Sequence, residues 1–253
     1  MENFLKRKFG LLLFVVYFFC LPSCSKKMPE GNLPDGYIAM TFDDSSISNW
    51  YTCMPLLDSL DIKATFYISH YHTYNASQKK QLLAIKKHGH EIAYHTSNHL
   101  NLAKLVKESD GWAKVMKEVN SDLKLMQNDG YNILNFAYPY GQHTASLDSG
   151  LLKIFSSVRG VSNRSNYYSC LTSERGYKKV LFGCNIDMNT PLPESNQKQL
   201  IAIAKEKKTS LVLLAHQINN PAVKNQITTD RLRMIAASAQ KNNLKFITVA
   251  DIL

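Results

Sequence analysis

The sequence has little cysteine and few acidic side chains. Its 253 residues include 5 Cys, and 20 Asp and Glu stand against 30 Lys and Arg, which gives a formal net charge of +10 at pH 7. A basic surface can attract acidic glycans, anionic lipids or nucleic acid. The lysines are scattered along the chain, however, and no nucleic-acid-binding motif accompanies them. We therefore expect no nucleic-acid partner.

The sequence also lacks an apolar run long enough to cross a membrane. Residues 9–21 are apolar, but they fall short of the about 20 residues that a spanning helix needs. Lys6, Arg7 and Lys8 precede this run. A basic start followed by a short apolar segment is typical of a secretory signal peptide, so we predict that the chain is exported.

The end of this leader resembles a bacterial lipobox. In Leu21-Pro22-Ser23-Cys24, cleavage before the cysteine would make a lipidated Cys24 the new N-terminus. Residues 1–23 are then a lipoprotein signal peptide. The protein would be an exported bacterial lipoprotein, held by its lipid anchor to the membrane at the periplasmic face or the cell surface. The alternative is a plain secretory signal with an incidental cysteine.

Three cysteines remain once Cys20 has left with the signal peptide and Cys24 has been lipidated. They are Cys53, Cys170 and Cys184, and an odd number leaves at least one thiol free. An oxidising periplasm would permit a bridge between Cys170 and Cys184, and the sequence leaves this open. Cys53 is expected to be a small core residue.

The exported part has the length of one domain. Residues 25–36 are rich in Lys, Pro, Gly and Asn, so we predict that residues 24–36 form a flexible tether. Residues 37–253 contain no internal repeat and can fill a single domain with one core. We expect this domain to be a monomer.

Apolar, β-rich runs alternate with segments that carry apolar residues at helical spacing. The predicted strands are residues 37–42, 64–69, 91–95, 133–138, 157–161, 180–186, 211–215 and 245–249. The predicted helices are residues 48–60, 77–88, 112–128, 194–207 and 229–242. This alternation implies an α/β fold with parallel strands and crossover helices. By itself it permits either a doubly wound sheet or a closed barrel.

Acidic and imidazole side chains follow two of the predicted strands. Asp43 and Asp44 come after the first, and His95 and His99 lie at the end of the third and four residues further on. Two imidazoles and one carboxylate form a three-ligand set that leaves a coordination position open for water, as in catalytic zinc sites. The second aspartate is then free to act as a base. We interpret this set as the site of a metal-dependent hydrolase.

Four segments resemble, in the same order, the motifs of the polysaccharide deacetylases of the NodB homology type, carbohydrate esterase family 4. They are Thr41-Phe42-Asp43-Asp44, His95-Thr96-Ser97-Asn98-His99, Tyr138-Pro139-Tyr140-Gly141 and Leu214-Ala215-His216. The resemblance implies a single-domain, distorted (β/α) barrel with catalytic residues at the C-terminal ends of the strands. It also implies a metal-dependent deacetylase that removes N-acetyl or O-acetyl groups from a polysaccharide or glycan. The expected cofactor is one divalent ion, with Zn²⁺ as the default.

The family's metal and base positions carry over residue by residue. The resemblance implies that Asp44, His95 and His99 hold the metal and that Asp43 takes the proton from water. It further implies that the backbone amide of Tyr140 donates to the oxyanion of the tetrahedral intermediate.

The remaining roles concern the leaving group and the substrate. The resemblance implies that His216 protonates the leaving amine or alcohol, with Asp187 orienting its imidazole. Leu214 would line the pocket for the acetyl group, and Tyr138 is placed with it among the substrate-binding residues.

Two motifs depart from the family pattern. Ala137 stands where the third motif commonly has an arginine that pairs with the base. A further motif of the family, which precedes the one at Leu214-Ala215-His216, is represented by Asn185-Ile186-Asp187-Met188-Asn189-Thr190. There, Thr190 and Pro191 stand where a second acid and a tryptophan usually follow. Arg159, on the next predicted strand, is a candidate substitute, which we group with the substrate-facing residues because neighbouring barrel strands open onto one face. The alternative for Arg159 is an ordinary surface arginine.

These departures leave two other functions open. One is a catalytically silent glycan-binding lipoprotein with a degenerate site. The other is an esterase acting on acetylated plant polysaccharide with the same chemistry. The sequence separates neither amide from ester substrates nor one acetylated glycan from another.

Overall fold

The computed structural model describes residues 36–163, 166–173, 179–190 and 192–253. The predicted signal peptide, the lipidation site Cys24, nearly all of the tether and Pro191 lie outside these residues. Within them, no helix is both long and apolar enough to cross a membrane.

The strands, in chain order, are β1 (Tyr37–Asp44), β2 (Ala64–Ile68), β3 (Glu91–Tyr94), β4 (Asn135–Ala137), β5 (Ser157–Val161), β6 (Leu171–Thr172), β7 (Lys179–Asn185), β8 (Ser210–Ala215), β9 (Gln217–Ile218), β10 (Gln226–Ile227) and β11 (Lys245–Phe246). The helices are α1 (Ile47–Thr52), α2 (Met54–Ser59), α3 (Ala76–Lys87), α4 (Leu102–Leu105), α5 (Gly111–Asn128), α6 (Ala145–Leu151), α7 (Glu194–Glu206), α8 (Thr229–Lys241) and α9 (Val249–Ile252). Short 3₁₀ turns occupy Tyr71–Thr73, Pro139–Gly141 and Tyr167–Cys170.

Seven parallel strands form the wall of a closed barrel, in the order β1, β2, β3, β4, β5, β7 and β8. The ring closes because β8 pairs with β1, from Ser210 opposite Tyr37 to Ala215 opposite Phe42. The short strand β11 pairs with the start of β1, and β6 runs antiparallel to the start of β8. The predicted single-domain (β/α) barrel is confirmed, and the doubly wound alternative is excluded.

Most of the wall strands are buried on both faces, which explains their nearly continuous apolar sequences, whereas β7 has Val180 exposed. All six residues of β8 are buried, and so are the middle six of β1. Side chains on one face pack under the helices, where Phe42, Trp50 and Phe66 stack with ring centroids 5.0 to 5.3 Å apart. Side chains on the other face fill the lumen.

Helix α9 closes the N-terminal end of the lumen. Val249 and Ile252 pack there against Leu181. The carboxylate of Glu91, on β3, accepts the backbone N–H of Ala250 at 2.9 Å and the side-chain amide of Asn135 at 2.5 Å. This plug leaves the opposite, C-terminal end of the strands as the open face of the barrel.

Two predicted elements differ from the structure. The strand predicted at residues 245–249 ends at Phe246, because Thr248 and Asp251 form a capping box that starts α9. The helix predicted at residues 48–60 is interrupted at Cys53, just before Pro55 in the first turn of α2. The other predicted strands and helices are present with ends shifted by a few residues.

The three cysteines of the described residues are free thiols. Cys170 and Cys184 are buried, and Cys53 is partly buried against the core as predicted. The thiol of Cys170 donates to the backbone carbonyl of Tyr167 at 2.6 Å. The bridge that the sequence left open is therefore not formed.

Candidate active site

Asp44, His95 and His99 come together at the open end of the barrel, and we call them the ligand cluster. Their candidate ligand atoms all lie within 4.8 Å of one another. Oδ1 of Asp44 is 3.7 Å from Nε2 of His95 and 3.4 Å from Nε2 of His99. Two atoms bound to one tetrahedral zinc at about 2.1 Å would be about 3.4 Å apart. The cluster therefore has the dimensions of a metal site.

The protonation of the two imidazoles also suits a metal. Nδ1 of His95 is 2.8 Å from the carbonyl oxygen of Ala137, which fixes the proton on Nδ1 and leaves the lone pair of Nε2 facing the cluster. Burial lowers the pKa of His95 to about 4, against the opposing effect of nearby carboxylates, and burial also lowers the pKa of His99. Both rings are thus neutral near pH 7, as ligands must be.

A tight turn brings the second imidazole back beside the first. Thr96 and His99 have φ values of 70° and 55°, in the left-handed region, and Oγ1 of Thr96 accepts the N–H of His99 at 3.1 Å. Glu118 of α5 anchors the turn by accepting both the backbone and side-chain N–H of Asn98, at 2.6 and 2.8 Å. Left-handed backbone costs a non-glycine residue about 1–3 kcal/mol, so these contacts hold a strained loop at the site.

The two aspartates at the end of β1 occupy different environments. Asp44, at φ 90°, keeps its side chain 39% exposed at the cluster, whereas the side chain of Asp43 is 4% exposed and faces the lumen. Oδ2 of Asp43 nevertheless lies 3.9 Å from Nε2 of His95. One carboxylate can therefore hold a metal while its neighbour faces the water beside it.

Arg159 reaches Asp43 across the lumen. Its Nη2 lies 2.5 Å from both carboxylate oxygens of Asp43, and its guanidinium lies 5.0 Å from the ring centre of Tyr67. Arg159 is fully buried, which excludes the alternative of an ordinary surface arginine. The predicted contact with Asp43 is present, while the grouping of Arg159 with the substrate-binding residues stays a prediction.

Ala137 and Arg159 are register partners on the adjacent strands β4 and β5. The small side chain of Ala137 packs beside Tyr67 and Ala93 in the lumen. The cation that the third motif lacks is thus supplied one strand further along the wall. Burial acts to raise the pKa of Asp43, but the charge of Arg159 opposes it most strongly, and the net result is a lowered pKa. Asp43 is therefore an ionised carboxylate.

Asp187 and His216 form a second pair. Asp187, fully buried in the loop after β7, lies with Oδ2 2.6 Å from Nδ1 of His216, and its Oδ1 accepts the backbone N–H of His216 at 3.2 Å. Burial acts to lower the pKa of His216, but the hydrogen bond to Asp187 and the charge of Asp43 outweigh it and raise the pKa to about 9. The imidazole is thus charged at neutral pH, with Nε2–H free to donate.

Tyr140 sits on a sharp turn at the mouth of the site. Its φ is 61°, and its ring is 63% exposed and packs edge-on against His99 with centroids 4.7 Å apart. A Cβ on Gly141 would lie 2.4 Å from Cγ2 of Val161, so only glycine fits at that position of the turn. The turn therefore places the backbone of Tyr140 beside the ligand cluster.

The two residues assigned to the substrate pocket lie deeper than expected. The ring of Tyr138 is fully buried against Phe136, and its hydroxyl donates to Asp148 at 2.8 Å. The ring thus packs in the core, and the assignment of Tyr138 to substrate binding stays a prediction. Leu214 is buried in the lumen, where a Cβ on Gly183 would touch it at 3.1 Å. Its contact with an acetyl group stays a prediction.

Sequence reasoning missed residues that hold these loops from a distance. Nη1 of Arg231, on α8, donates to the backbone carbonyls of Ile186 and Asp187 at 3.1 and 3.0 Å. Asn49 and Trp50, on α1, contact the segment that carries His216. No local sequence signal marks such residues, because their partners are 44 to 169 positions away in the chain.

Solved structures of similar fold include the family 4 carbohydrate esterase from Streptomyces lividans in complex with acetate, which is 18% identical with a TM-score of 0.57 over 85% of this chain and 94% of that chain. The chitin deacetylase from the fungal pathogen Colletotrichum lindemuthianum is 16% identical, with a TM-score of 0.58 over 89% of this chain and 93% of that one. The peptidoglycan deacetylase from Bacillus subtilis is 16% identical, with a TM-score of 0.52 over 88% and 92%. At these identities, the likeness establishes the fold.

No curated protein matches the chain. The family model for polysaccharide deacetylases matches residues 30–153, which include Asp43 and the whole ligand cluster. His216 and Asp187 lie beyond the matched residues, on the same barrel. Residues 30–153 of the chain therefore match the polysaccharide deacetylase family of the NodB homology type, in agreement with the motifs and with the fold.

Proposed function

We propose that the protein is a metal-dependent deacetylase that hydrolyses N-acetyl or O-acetyl groups on a polysaccharide or glycan. The observation that supports this best is the arrangement of two charged pairs around the ligand cluster. Asp43 with Arg159 provides an ionised carboxylate, and Asp187 with His216 provides a charged imidazole. A base and an acid beside one metal site are what acyl-group hydrolysis requires.

The ligand cluster fits a divalent ion by its spacing and its neutral imidazoles, and two nitrogens with one carboxylate oxygen make zinc the default. Such an ion, when bound, lowers the pKa of a nearby water and polarises the acetyl carbonyl. That the ion is zinc is part of the proposal.

Asp43 would act as the base. Water beside the cluster attacks the carbonyl carbon of the acetyl group while its proton passes to the Asp43 carboxylate. Arg159 holds that carboxylate in one orientation from the far side of the lumen, and burial keeps bulk water from it. The low pKa of Asp43 ensures that the accepting oxygen is unprotonated at neutral pH.

The remaining groups complete the reaction. The backbone N–H of Tyr140 would donate to the oxyanion that develops on the carbonyl oxygen. His216 then gives its Nε2 proton to the leaving nitrogen or oxygen as the bond to the acetyl carbon breaks. Asp187 keeps the imidazole charged and correctly turned by holding Nδ1. Acetate and the deacetylated glycan leave.

A catalytically silent glycan-binding protein is the alternative from another class. Ala137 motivated it, because an unpaired base would be poorly oriented. The guanidinium of Arg159 lies against that base, and this contact supports an active enzyme over a silent one.

We also propose that the protein is an exported lipoprotein anchored through Cys24. Support comes from the sequence of the leader and from the position of Tyr37, which begins β1 at the end of the barrel opposite the ligand cluster. A tether entering there would leave the open face pointing away from the membrane, towards an extended glycan.

Acetate release from a panel of N-acetylated and O-acetylated polymers tests the function. We expect release by the wild type to disappear on chelation and to return when divalent metal is added. Asp43→Asn should retain metal but lose nearly all turnover, because an amide cannot accept the proton of water. The exposed Asp61→Asn is the control. Wild-type-like release by Asp43→Asn would assign the base elsewhere, and no release from any polymer would favour the silent alternative.

A further inference from the structure

His216 lies just beyond the barrel wall. Strand β8 ends at Ala215, and the following strand Gln217–Ile218 pairs with Gln226–Ile227 in a separate two-stranded sheet. The wall therefore fixes the chain up to Ala215 but not the segment that follows. Residues 216–219 are held instead by backbone pairing with Gln226–Ile227 and by side chains from other parts of the chain.

Asn49, on α1, pairs with this segment as a neighbouring strand would. Its Nδ2 donates to the carbonyl of Ile218 at 2.8 Å, and its Oδ1 accepts the N–H of Ile218 at 2.9 Å. Nδ2 also lies 3.3 Å from Oδ1 of Asn219. One amide side chain thus satisfies both backbone groups of a residue two positions from His216.

Trp50 holds the backbone of His216 itself. Its Nε1 donates to the carbonyl oxygen of His216 at 2.6 Å. The indole is fully buried and packs on Phe66 with centroids 5.0 Å apart, so the donor has a fixed position. Helix α1, which carries both residues, starts at Ile47, three residues after Asp44.

We propose that Asn49 and Trp50 are positioning residues that hold His216 at a fixed place relative to Asp43 and Asp187. Asp43, the proposed base, and Asp44 lie at the end of β1. The helix that follows, α1, forms hydrogen bonds to the segment that carries His216, the proposed acid. One short stretch of chain thereby sets the distance between the two groups that transfer protons. This inference rests on the proposed function and deepens it.

A double-mutant cycle tests the proposal. Asn49→Ala should lower kcat by about 10- to 100-fold, since small misplacements of a catalytic group have effects of this size, while metal content stays unchanged. In a His216→Ala background the same substitution should have no further effect, because the residue it positions is gone. Asn75→Ala is the matched control: it removes a capping box on α3, which lowers stability but leaves kcat unchanged.

Amide hydrogen exchange provides a readout that needs no activity. In Asn49→Ala, exchange should accelerate at the N–H of His216, which is bound to Asp187 and not to Asn49. An equal loss of kcat in both backgrounds, unchanged kcat, or unchanged exchange at His216 would overturn the proposal. If the wild type released no acetate, the proposed function would be wrong. Hydrogen exchange at the N–H of His216 would still test whether Asn49 positions that residue. Should Asn49→Ala fail to fold, Trp50→Phe, which removes only the donor and part of the ring, takes its place in the same cycle.

Discussion

Arg159 and Asp43 are 116 positions apart in the chain, and their side chains meet at 2.5 Å inside the barrel. Their strands, β5 and β1, are not neighbours in the wall, so the contact crosses the lumen. Only a long side chain can span that gap, and it needs the space that the small Ala137 leaves beside it. The structure therefore preserves a cation for the base while moving it to another strand.

Replacement of Arg159 by Ala should reduce turnover at least about tenfold and destabilise the fold by about 3–5 kcal/mol, because it leaves a buried carboxylate unpaired. Loss of the positive charge should also raise the pKa of Asp43, so the acidic limb of the pH–rate profile should move to higher pH. Thermal melts, metal analysis and acetate release against pH measure these effects.

The double variant Ala137→Arg with Arg159→Ala should recover part of the lost turnover, since it restores the cation on the register partner of Arg159. Ala137→Arg alone is its control and should destabilise the protein, because two arginines would compete for the same space. Turnover in Arg159→Ala equal to that of the wild type would show that the base needs no cation.

The double variant His95→Ala with His99→Ala should bind no divalent metal, since two of the three cluster ligands are removed. His72 and His88 have exposed rings paired with Asp122 and Asp58, so replacing both by Ala is the matched control and should leave metal content unchanged. Elemental analysis of the purified proteins decides the matter. Full occupancy in the cluster variant would remove the metal-site assignment.

Replacement of Asp187 by Asn should shift the basic limb of the pH–rate profile to lower pH. A general acid works while it is protonated, and the raised pKa of His216, about 9, keeps it so until the pH passes that value. Without the carboxylate the imidazole loses its proton earlier. Asp148→Asn is the control, because Asp148 pairs with His143 at 2.9 Å and should not affect the limb. A basic limb unchanged in Asp187→Asn would mean that His216 is not the titrating acid.

Replacement of Cys24 by Ala should move the protein from the membrane fraction to the soluble exported fraction, because a lipid chain would be its attachment. Fractionation and the mass of the mature N-terminus measure this. Unchanged fractionation with an intact N-terminal signal would reject the lipobox interpretation.

The sequence alone predicted the strands with most success, and for a physical reason. Most of the parallel wall strands are buried on both faces, so their apolar runs differ clearly from the amphipathic helices between them. The strand predicted at residues 245–249 is present but ends at Phe246, because the capping pair Thr248 and Asp251 begins a helix there. The hydrogen bonds of the helix cap therefore outweigh the β propensity of these residues.

The motifs likewise identified the members of the site, since metal ligands and proton-transfer groups need particular side chains in a particular order. A sequence motif does not show, however, whether each of its side chains is buried or exposed. Tyr138 is in the right motif but points into the core, where its hydroxyl meets Asp148. Tyr138 directly follows β4, which has only three residues. So short a run carries no periodicity from which the direction of the next side chain could be predicted.

What tertiary structure decided was how distant parts of the chain meet. The pattern of the sequence determined an α/β fold, and the resemblance of its motifs to a known family implied the barrel and the members of the ligand cluster. The sequence also marked Arg159 as one candidate partner for Asp43. Closure of β8 onto β1 brought the C-terminal ends of these strands together, and with them Asp43 and His216. The barrel fold also decided that Arg159 is buried and contacts Asp43. The hydrogen bonds from Asn49 and Trp50 to the His216 segment also depend on the tertiary structure, because they join residues 166 to 170 positions apart. Such contacts depend on the three-dimensional path of the whole chain, which no local pattern encodes.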